Sequence, residues 1–228
     1  MQKDLLIQGI RNNIYHSKKY GIKLRNDLSK VKYDLSAASL GGANLSRLNI
    51  SGVNLKNANL GGADLSESKI RHAYLRGANL GGASLSYADL SGSDLQTSNL
   101  GSANMAYARL DKSRARGANL SGSYLGYASL KGADLSDSYM WGAFLKGCNL
   151  TRTNLENAYL RGSDLKGAII SKSNLRGLDL SGANLSGLKA DSGCIIGVLT
   201  AAKLVGRRAK TGKSEAIAMA ESIGIIII

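Results

Sequence analysis

Residues 58–67 read Ala-Asn-Leu-Gly-Gly-Ala-Asp-Leu-Ser-Glu, and this stretch contains the pattern that decides the fold. A small residue, an Asn or Asp and a large aliphatic residue are followed by two small or polar residues. The large residue returns at every fifth position from Leu35 to Leu185, at 31 positions, of which 25 are leucine. The other six positions hold Ile50, Ile70, Met105, Ala115, Met140 and Ile170.

Each five-residue unit predicts a short extended segment followed by a corner. Successive side chains of an extended segment alternate, so the small and large residues point to one side and Asn or Asp to the other. Pairs such as Gly61-Gly62 turn the chain, and Asx side chains bond the nearby backbone at such corners. A helix is excluded, because a five-residue period advances about 500° and would spread the leucines around the helix axis.

These units closely resemble the pentapeptide-repeat family, whose unit is A(N/D)LXX. The resemblance covers about two-thirds of the chain, and six units match letter for letter: Ala43-Asn44-Leu45, Ala63-Asp64-Leu65, Ala78-Asn79-Leu80, Ala118-Asn119-Leu120, Ala133-Asp134-Leu135 and Ala183-Asn184-Leu185. It implies an all-β solenoid, a right-handed quadrilateral β-helix with four repeats per coil and the leucines stacked along its axis. Nearly eight coils at about 4.8 Å each would be about 37 Å long.

The repeat divides the chain into three parts, an N-terminal cap, a β-helix and a C-terminal cap or tail, at residues 1–30, 31–188 and 189–228. Terminal elements are expected to cover the apolar cross-section at each end of a repeat stack. The pattern predicts a short amphipathic helix from Leu5 to about Tyr20, interrupted near Gly21. Two more helices are predicted at 194–210 and 214–223.

The C-terminal segment ends in four isoleucines, which we expect to be covered. They would pack on the last coil, on a second subunit or on a membrane. In some members of the family that the chain resembles, a C-terminal extension joins two solenoids end to end, which implies a homodimer as one alternative.

The chain carries 30 Lys and Arg against 16 Asp and Glu, a formal net charge of +14. This charge permits a nucleic acid or an anionic membrane as partner, but we do not favour either over a solvated basic surface. Nothing near the N-terminus reads as a signal peptide, and no segment reaches the roughly 18 apolar residues of a spanning helix. A cytoplasmic protein is expected, with secretion without a cleaved signal peptide as the alternative.

The sequence predicts no catalytic, cofactor or metal site. His16 and His72 are far apart and lack a nearby Cys or acidic cluster. The segment from Gly206 to Ser214 has five residues between its glycines, where a phosphate-binding loop needs four. Cys148 takes a small inward position, and we expect a buried structural thiol there. We therefore predict that the protein is not an enzyme.

Residues twenty positions apart should stack in neighbouring coils of the implied fold. This predicts a corner ladder of Tyr87, Tyr107 and Tyr127. It also predicts an outward ladder of Asn59, Asn79, Asn99 and Asn119, continued by Tyr139 and Tyr159. Stacking of like residues is enough to explain the corner tyrosines.

The later coils carry aromatic residues where the repeat has Asn or Asp. Because exposed aromatic and Arg clusters anchor binding surfaces, we predict a protein-binding surface of Tyr124, Tyr139, Trp141, Phe144, Tyr159 and Arg161. Lateral packing between neighbouring rings is the alternative.

A basic cluster surrounds Ala115, where the inward series loses its large side chain. It is either an anion-binding site or an irregularity of the repeat, and its members are Arg109, Lys112, Arg114 and Arg116. A cavity is expected beside Ala115 unless Met105 or another neighbour fills it.

These observations favour a non-enzymatic protein-binding or scaffolding solenoid of bacterial type, with an unidentified protein partner. The resemblance implies a second function, protection of a DNA topoisomerase such as gyrase, which some relatives achieve as negatively charged, DNA-like rods. The net charge here has the opposite sign. A secreted effector or membrane-peripheral protein anchored by its C-terminal segment is a third reading. Direct nucleic-acid binding, with a steep salt dependence, is a fourth.

Overall fold

The computed structural model describes residues 7–9, 16–17, 22–23, 34–190 and 194. The long central segment forms a right-handed quadrilateral β-helix, as predicted. Its parallel bridges join residues twenty positions apart, from Asp34 with Asn54 to Ile169 with Lys189. Four five-residue units therefore make one coil, and the coils stack in register.

Each coil has four sides, which we label by the first outward residue of each column. Side A begins at Asp34, side B at Ser39, side C at Asn44 and side D at Asn49. A side comprises a three-residue arm, in which the middle residue points outward, and the two-residue corner that follows the inward leucine. Every column along a side therefore contains residues spaced by twenty.

The arms are held by backbone hydrogen bonds between neighbouring coils. On side B, the Leu60 amide donates to the Asn79 carbonyl at 2.7 Å, and the Asn59 amide donates to the Ala38 carbonyl at 2.9 Å. The same pattern recurs on the other sides. The backbone polar groups of each arm are therefore satisfied by the coils before and after it.

Each corner is a tight turn closed by one backbone hydrogen bond. At the first corner of side A, the Ala38 amide donates to the Leu35 carbonyl at 3.0 Å, and Ala37 has a φ of 54°. A positive φ at this position is the requirement of a type II turn. The outward Asx side chain also supports the corner, as predicted, since the Gly61 amide donates to Asn59 Oδ1 at 3.1 Å.

The inward columns form one continuous apolar core along the axis. The inward residues at five-residue spacing from Leu35 to Leu185 are all buried, including Met105 and the small Ala115. The predicted cavity beside Ala115 stays a prediction. Cys148 is fully buried, as expected, and its burial raises the pKa of the thiol well above the ordinary value.

The N-terminal segment differs in part from the prediction. Residues 7–9 are helical, but β1 (His16–Ser17) pairs antiparallel with β2 (Ile22–Lys23). The helix predicted to reach Tyr20 is therefore wrong at His16–Ser17, because the backbone there bonds across to a second strand.

The helices predicted at 194–210 and 214–223 lie outside the described residues, apart from Cys194. That residue is buried, and its thiol donates to the Ile170 carbonyl with an S–O distance of 3.0 Å. Among the described residues, no helix is long and apolar enough to cross a membrane.

Candidate protein-binding surface

Two pairs of stacked rings lie on adjacent sides of the later coils. On side B, Tyr139 and Tyr159 have ring centroids 5.3 Å apart and planes within 5°. On side C, Tyr124 and Phe144 are 4.8 Å apart with planes within 3°. Each pair occupies consecutive coils of one outward column, because its members are twenty residues apart.

Trp141 occupies the corner between these two sides. Its ring stands edge-on to Tyr139 at 5.8 Å and to Tyr159 at 6.4 Å, with an interplanar angle of 83° in both cases. Arg161 takes the same corner position in the next coil, where its carbonyl accepts from the Gly142 amide at 3.0 Å. The predicted residues therefore lie together on sides B and C and the corner that joins them.

We call the five rings the aromatic surface: Tyr124, Tyr139, Trp141, Phe144 and Tyr159. Their residues are between 40% and 52% exposed, although the rings contact one another. Sides B and C are electrically balanced over the array. Side B carries one cation and one acid, and side C carries three of each. The aromatic surface therefore offers apolar area on a background without net charge.

Four of these rings replace the Asn or Asp that supports a corner elsewhere. Asn119, one coil before Tyr139, accepts a hydrogen bond from the Ser121 amide at 3.0 Å, and an aromatic ring offers no such acceptor. The lost bond is worth about 1 kcal/mol, and ring stacking returns about as much. Solenoid stability alone thus gives no reason to prefer these rings over the repeat's own Asn.

Both predicted ladders are present: the corner ladder lies outside the aromatic surface, whereas the asparagine ladder leads into its Tyr139 and Tyr159. Tyr107 stacks between Tyr87 and Tyr127, at centroid distances of 5.0 and 5.4 Å, along the corner between sides C and D. The side-chain amides of Asn79, Asn99 and Asn119 each donate to the Asn one coil earlier, at 3.2, 3.0 and 3.1 Å. In both ladders, equivalent side chains of neighbouring coils contact one another, so the contacts join the coils of the solenoid.

The basic cluster around Ala115 does not converge on one point. Its four side chains follow one another along the coil, two on side D and two on side A. Three of them pair with carboxylates: Arg109 with Asp111, Arg114 with Asp94, and Arg116 with Asp137, at 3.5, 3.6 and 3.0 Å. Anion binding by this cluster stays a prediction, and an anion there would compete with these carboxylates.

Within the described residues, no group of three or more His, Cys, Asp and Glu side chains is placed to hold a metal ion. Two acids of the described ion pairs, Asp89 and Asp94, are equally buried. Asp89 accepts from Ser91 Oγ at 2.6 Å and from Arg71 Nε at 2.5 Å. Burial raises the pKa of Asp89, but these hydrogen bonds outweigh it and hold the pKa below its ordinary value. This arrangement supports a corner of the solenoid.

A protein-family model described as pentapeptide repeats matches the chain in eight copies. The matches cover residues 34–66, 58–101, 116–152, 128–167 and 148–187. The chain belongs to the pentapeptide repeat family. No curated protein matches it. Among solved structures, the chain is similar to Rfr23 from the cyanobacterium Cyanothece 51142, with 31% identity and a TM-score of 0.41. That match covers 41% of this chain and 64% of Rfr23.

Two further structures extend the comparison along most of this pentapeptide repeat protein. HetL, involved in heterocyst differentiation regulation in Nostoc sp. strain PCC 7120, is 30% identical over 75% of this chain and 89% of its own, with a TM-score of 0.34. QnrB1, a plasmid-mediated fluoroquinolone resistance protein, is 19% identical over 86% of this chain and 96% of its own. Its TM-score of 0.61 supports the shared fold.

Proposed function

We propose that this pentapeptide repeat protein is a non-enzymatic binding module that captures a protein partner on the aromatic surface. The observation that carries the proposal is the set of five exposed rings on two adjacent sides of a rigid solenoid. Aromatic side chains with Arg beside them are the residues that most often dominate the energy of a protein interface. Membership of a family of repeat scaffolds also supports a non-enzymatic function.

The arrangement of the rings suits a protein partner in two ways. The stacked pairs are held by their neighbours, so little side-chain entropy remains to be lost on binding. Apolar area at the centre with polar residues around it is also the anatomy of a specific interface. Arg161 at the shared corner supplies a planar donor at the rim.

The test compares two triple variants in capture of partners from a lysate of the native host. Tyr139→Asn, Trp141→Ser and Phe144→Asn remove the centre of the aromatic surface, using residues that occupy the same columns elsewhere. The control triple changes Tyr87, Tyr107 and Tyr127 to Asn, which removes three exposed rings at another corner. We expect the first triple to abolish capture of a protein that the wild type and the control retain.

Equal capture by both triples would overturn the proposal, provided that circular dichroism shows both variants folded. The same proteins in a gyrase supercoiling assay with a fluoroquinolone test the alternative function. If the variant without the aromatic surface still protects gyrase, the topoisomerase is the partner and it binds to another surface of the solenoid. The array's net charge of +6 opposes duplex mimicry as the route to such protection.

A further inference from the structure

The net charge of the solenoid lies on one of its four sides. Over residues 34–190, side A carries five cations and five acids, side B one and one, and side C three and three. Side D carries eight Lys and Arg against two Asp, a net charge of +6. Sides A, B and C are therefore each neutral overall, and the net charge of these residues resides on side D.

The positive side chains of side D are distributed along the solenoid, in the outward column and at the two corner positions of this side. They run from Lys69 to Lys189, six coil spacings or about 29 Å. The two acids of this side are already used: Asp89 pairs with Arg71, and Asp111 pairs with Arg109. Side D carries no further acid among the described residues for its other six cations.

Three of these cations occupy the corner of side D in consecutive coils. Lys112, Lys131 and Arg152 are all exposed, and none of them forms an ion pair within residues 34–190. Because like charges at neighbouring positions repel, their alignment opposes stability instead of adding to it. An external polyanion would relieve this repulsion.

We infer that side D is a docking surface for an anionic lipid bilayer. Within residues 34–190 the side is flat, since its corners are two-residue turns and no insertion interrupts the five-residue units. A flat row of cations contacts a planar anionic surface along its whole length, whereas it meets the helical phosphate backbone of a duplex only where the strands cross it. Side D contains no Phe, Tyr or Trp among the described residues, so it also lacks the stacking platforms that bind single strands.

Two further features agree with a lipid surface. Five of the eight cations are lysines, whose compact charges suit a diffuse anionic plane, and two of the three arginines are engaged by Asp. The neutral sides B and C lie away from the corner that carries the three aligned cations. A solenoid lying on side D would therefore leave the aromatic surface accessible from the solvent.

The test is co-sedimentation of the full chain with phosphatidylcholine vesicles that contain about one-third phosphatidylserine. The side D triple carries Lys112→Gln, Lys131→Gln and Arg152→Gln. The matched control removes three cations from other sides, with Arg76→Gln, Lys146→Gln and Lys166→Gln. Both variants lose three positive charges and retain the same N- and C-terminal segments. Any difference in their vesicle binding therefore shows the contribution of side D.

We expect the side D triple to lower the partition coefficient about 100-fold, since each cation near an anionic surface contributes about fivefold. The control should change it less than about tenfold, and raising the salt to about 0.5 M should release the wild type. Equal losses in both triples, no binding by the wild type, or equal binding to neutral vesicles would overturn the inference. So would displacement from the vesicles by duplex DNA at equal phosphate, which would assign side D to nucleic acid. The aromatic-surface variant should bind vesicles like the wild type, so the two proposals fail separately.

Discussion

Two buried serines of side A differ in a way that predicts opposite effects of the same substitution. Ser93 and Ser113 occupy the same inward column one coil apart. Ser93 Oγ donates to the Leu90 carbonyl at 2.6 Å, whereas Ser113 Oγ is buried without a hydrogen-bond partner in the described part of the chain. An unsatisfied buried hydroxyl is destabilising, but a satisfied one contributes to stability.

We therefore expect Ser113→Ala to raise the free energy of unfolding by about 1 kcal/mol and Ser93→Ala to lower it by about as much. Chemical denaturation of both variants beside the wild type provides the measurement. Changes of the same sign would contradict the hydrogen-bond assignment, since the two sites match in burial and position.

The depressed pKa of Asp89 predicts a pH dependence of stability. Because the folded-state pKa lies below the unfolded value of about 3.9, the charged carboxylate stabilises the fold above that value. This contribution is lost as the pH falls through the folded pKa. We expect Asp89→Asn to lower the free energy of unfolding by about 2 kcal/mol at neutral pH, and the difference from the wild type to shrink below about pH 3.

Denaturation of both proteins at several pH values measures this difference. Ser91→Ala is the second arm, because it removes one donor to Asp89 and leaves Arg71 in place. It should reproduce part of the pH dependence. A difference between wild type and Asp89→Asn that stays constant with pH would show that the carboxylate's charge contributes nothing.

At the scale of the corner, two glycines of side C separate backbone strain from contact with the tyrosine ladder. Gly147 and Gly167 both have φ near 65°, one coil apart in the same column. A Cβ added at Gly147 would lie 2.6 Å from Tyr127 Cε1, but one added at Gly167 would meet nothing within 4 Å. The Tyr127 ring therefore needs a glycine beneath it.

We expect Gly167→Ala to lower the free energy of unfolding by about 1 kcal/mol, because a residue with a side chain is strained in a left-handed conformation. Gly147→Ala should lower the free energy of unfolding by about twice as much, because the Tyr127 ring must give up its stacking on Tyr107 to make room for the added Cβ. Near-UV circular dichroism reports the tyrosines, and denaturation reports the stability. If Tyr127→Asn fails to remove the excess cost of Gly147→Ala, the contact with the ring is not its cause.

The arms, the corners and the columns could be predicted from the sequence because each rests on a local rule. The five-residue spacing places Leu60 inward and Asn59 outward in any coil of this kind. The number of sides does not follow from that spacing and required the family resemblance. The edge-on contacts of Trp141 depend on side-chain orientation, which no spacing determines. The short β1–β2 pairing has no alternation of its own, so the helical pattern of its neighbours obscured it.

The distribution of charge belongs to the whole molecule and emerges only when all columns are compared. Seven of the eight cations of side D have an acid within four residues along the chain, so charge runs in the sequence do not reveal this distribution. Once the twenty-residue coil is established, nine of the eleven acids of residues 34–190 sort onto sides A, B and C, and the net charge of +6 remains on side D. The coil length of twenty residues thus brings together both the rings of the aromatic surface and the cations of side D.

That coil length also predicts which deletions the molecule tolerates. Removal of residues 80–99 joins Asn79 to Leu100 and keeps the unit Ala-Asn-Leu-Gly-Ser, so all four sides stay in register. Because a solenoid's stability is a sum over neighbouring repeats, we expect this variant to fold and its denaturant m value to fall by about one-eighth. Removal of residues 80–97 places Ser98 where a leucine belongs and shifts the columns by two residues. That variant should lose the cooperative transition, because its inward leucines no longer stack. Similar transitions in both deletions would show that the leucine register does not hold the coils together.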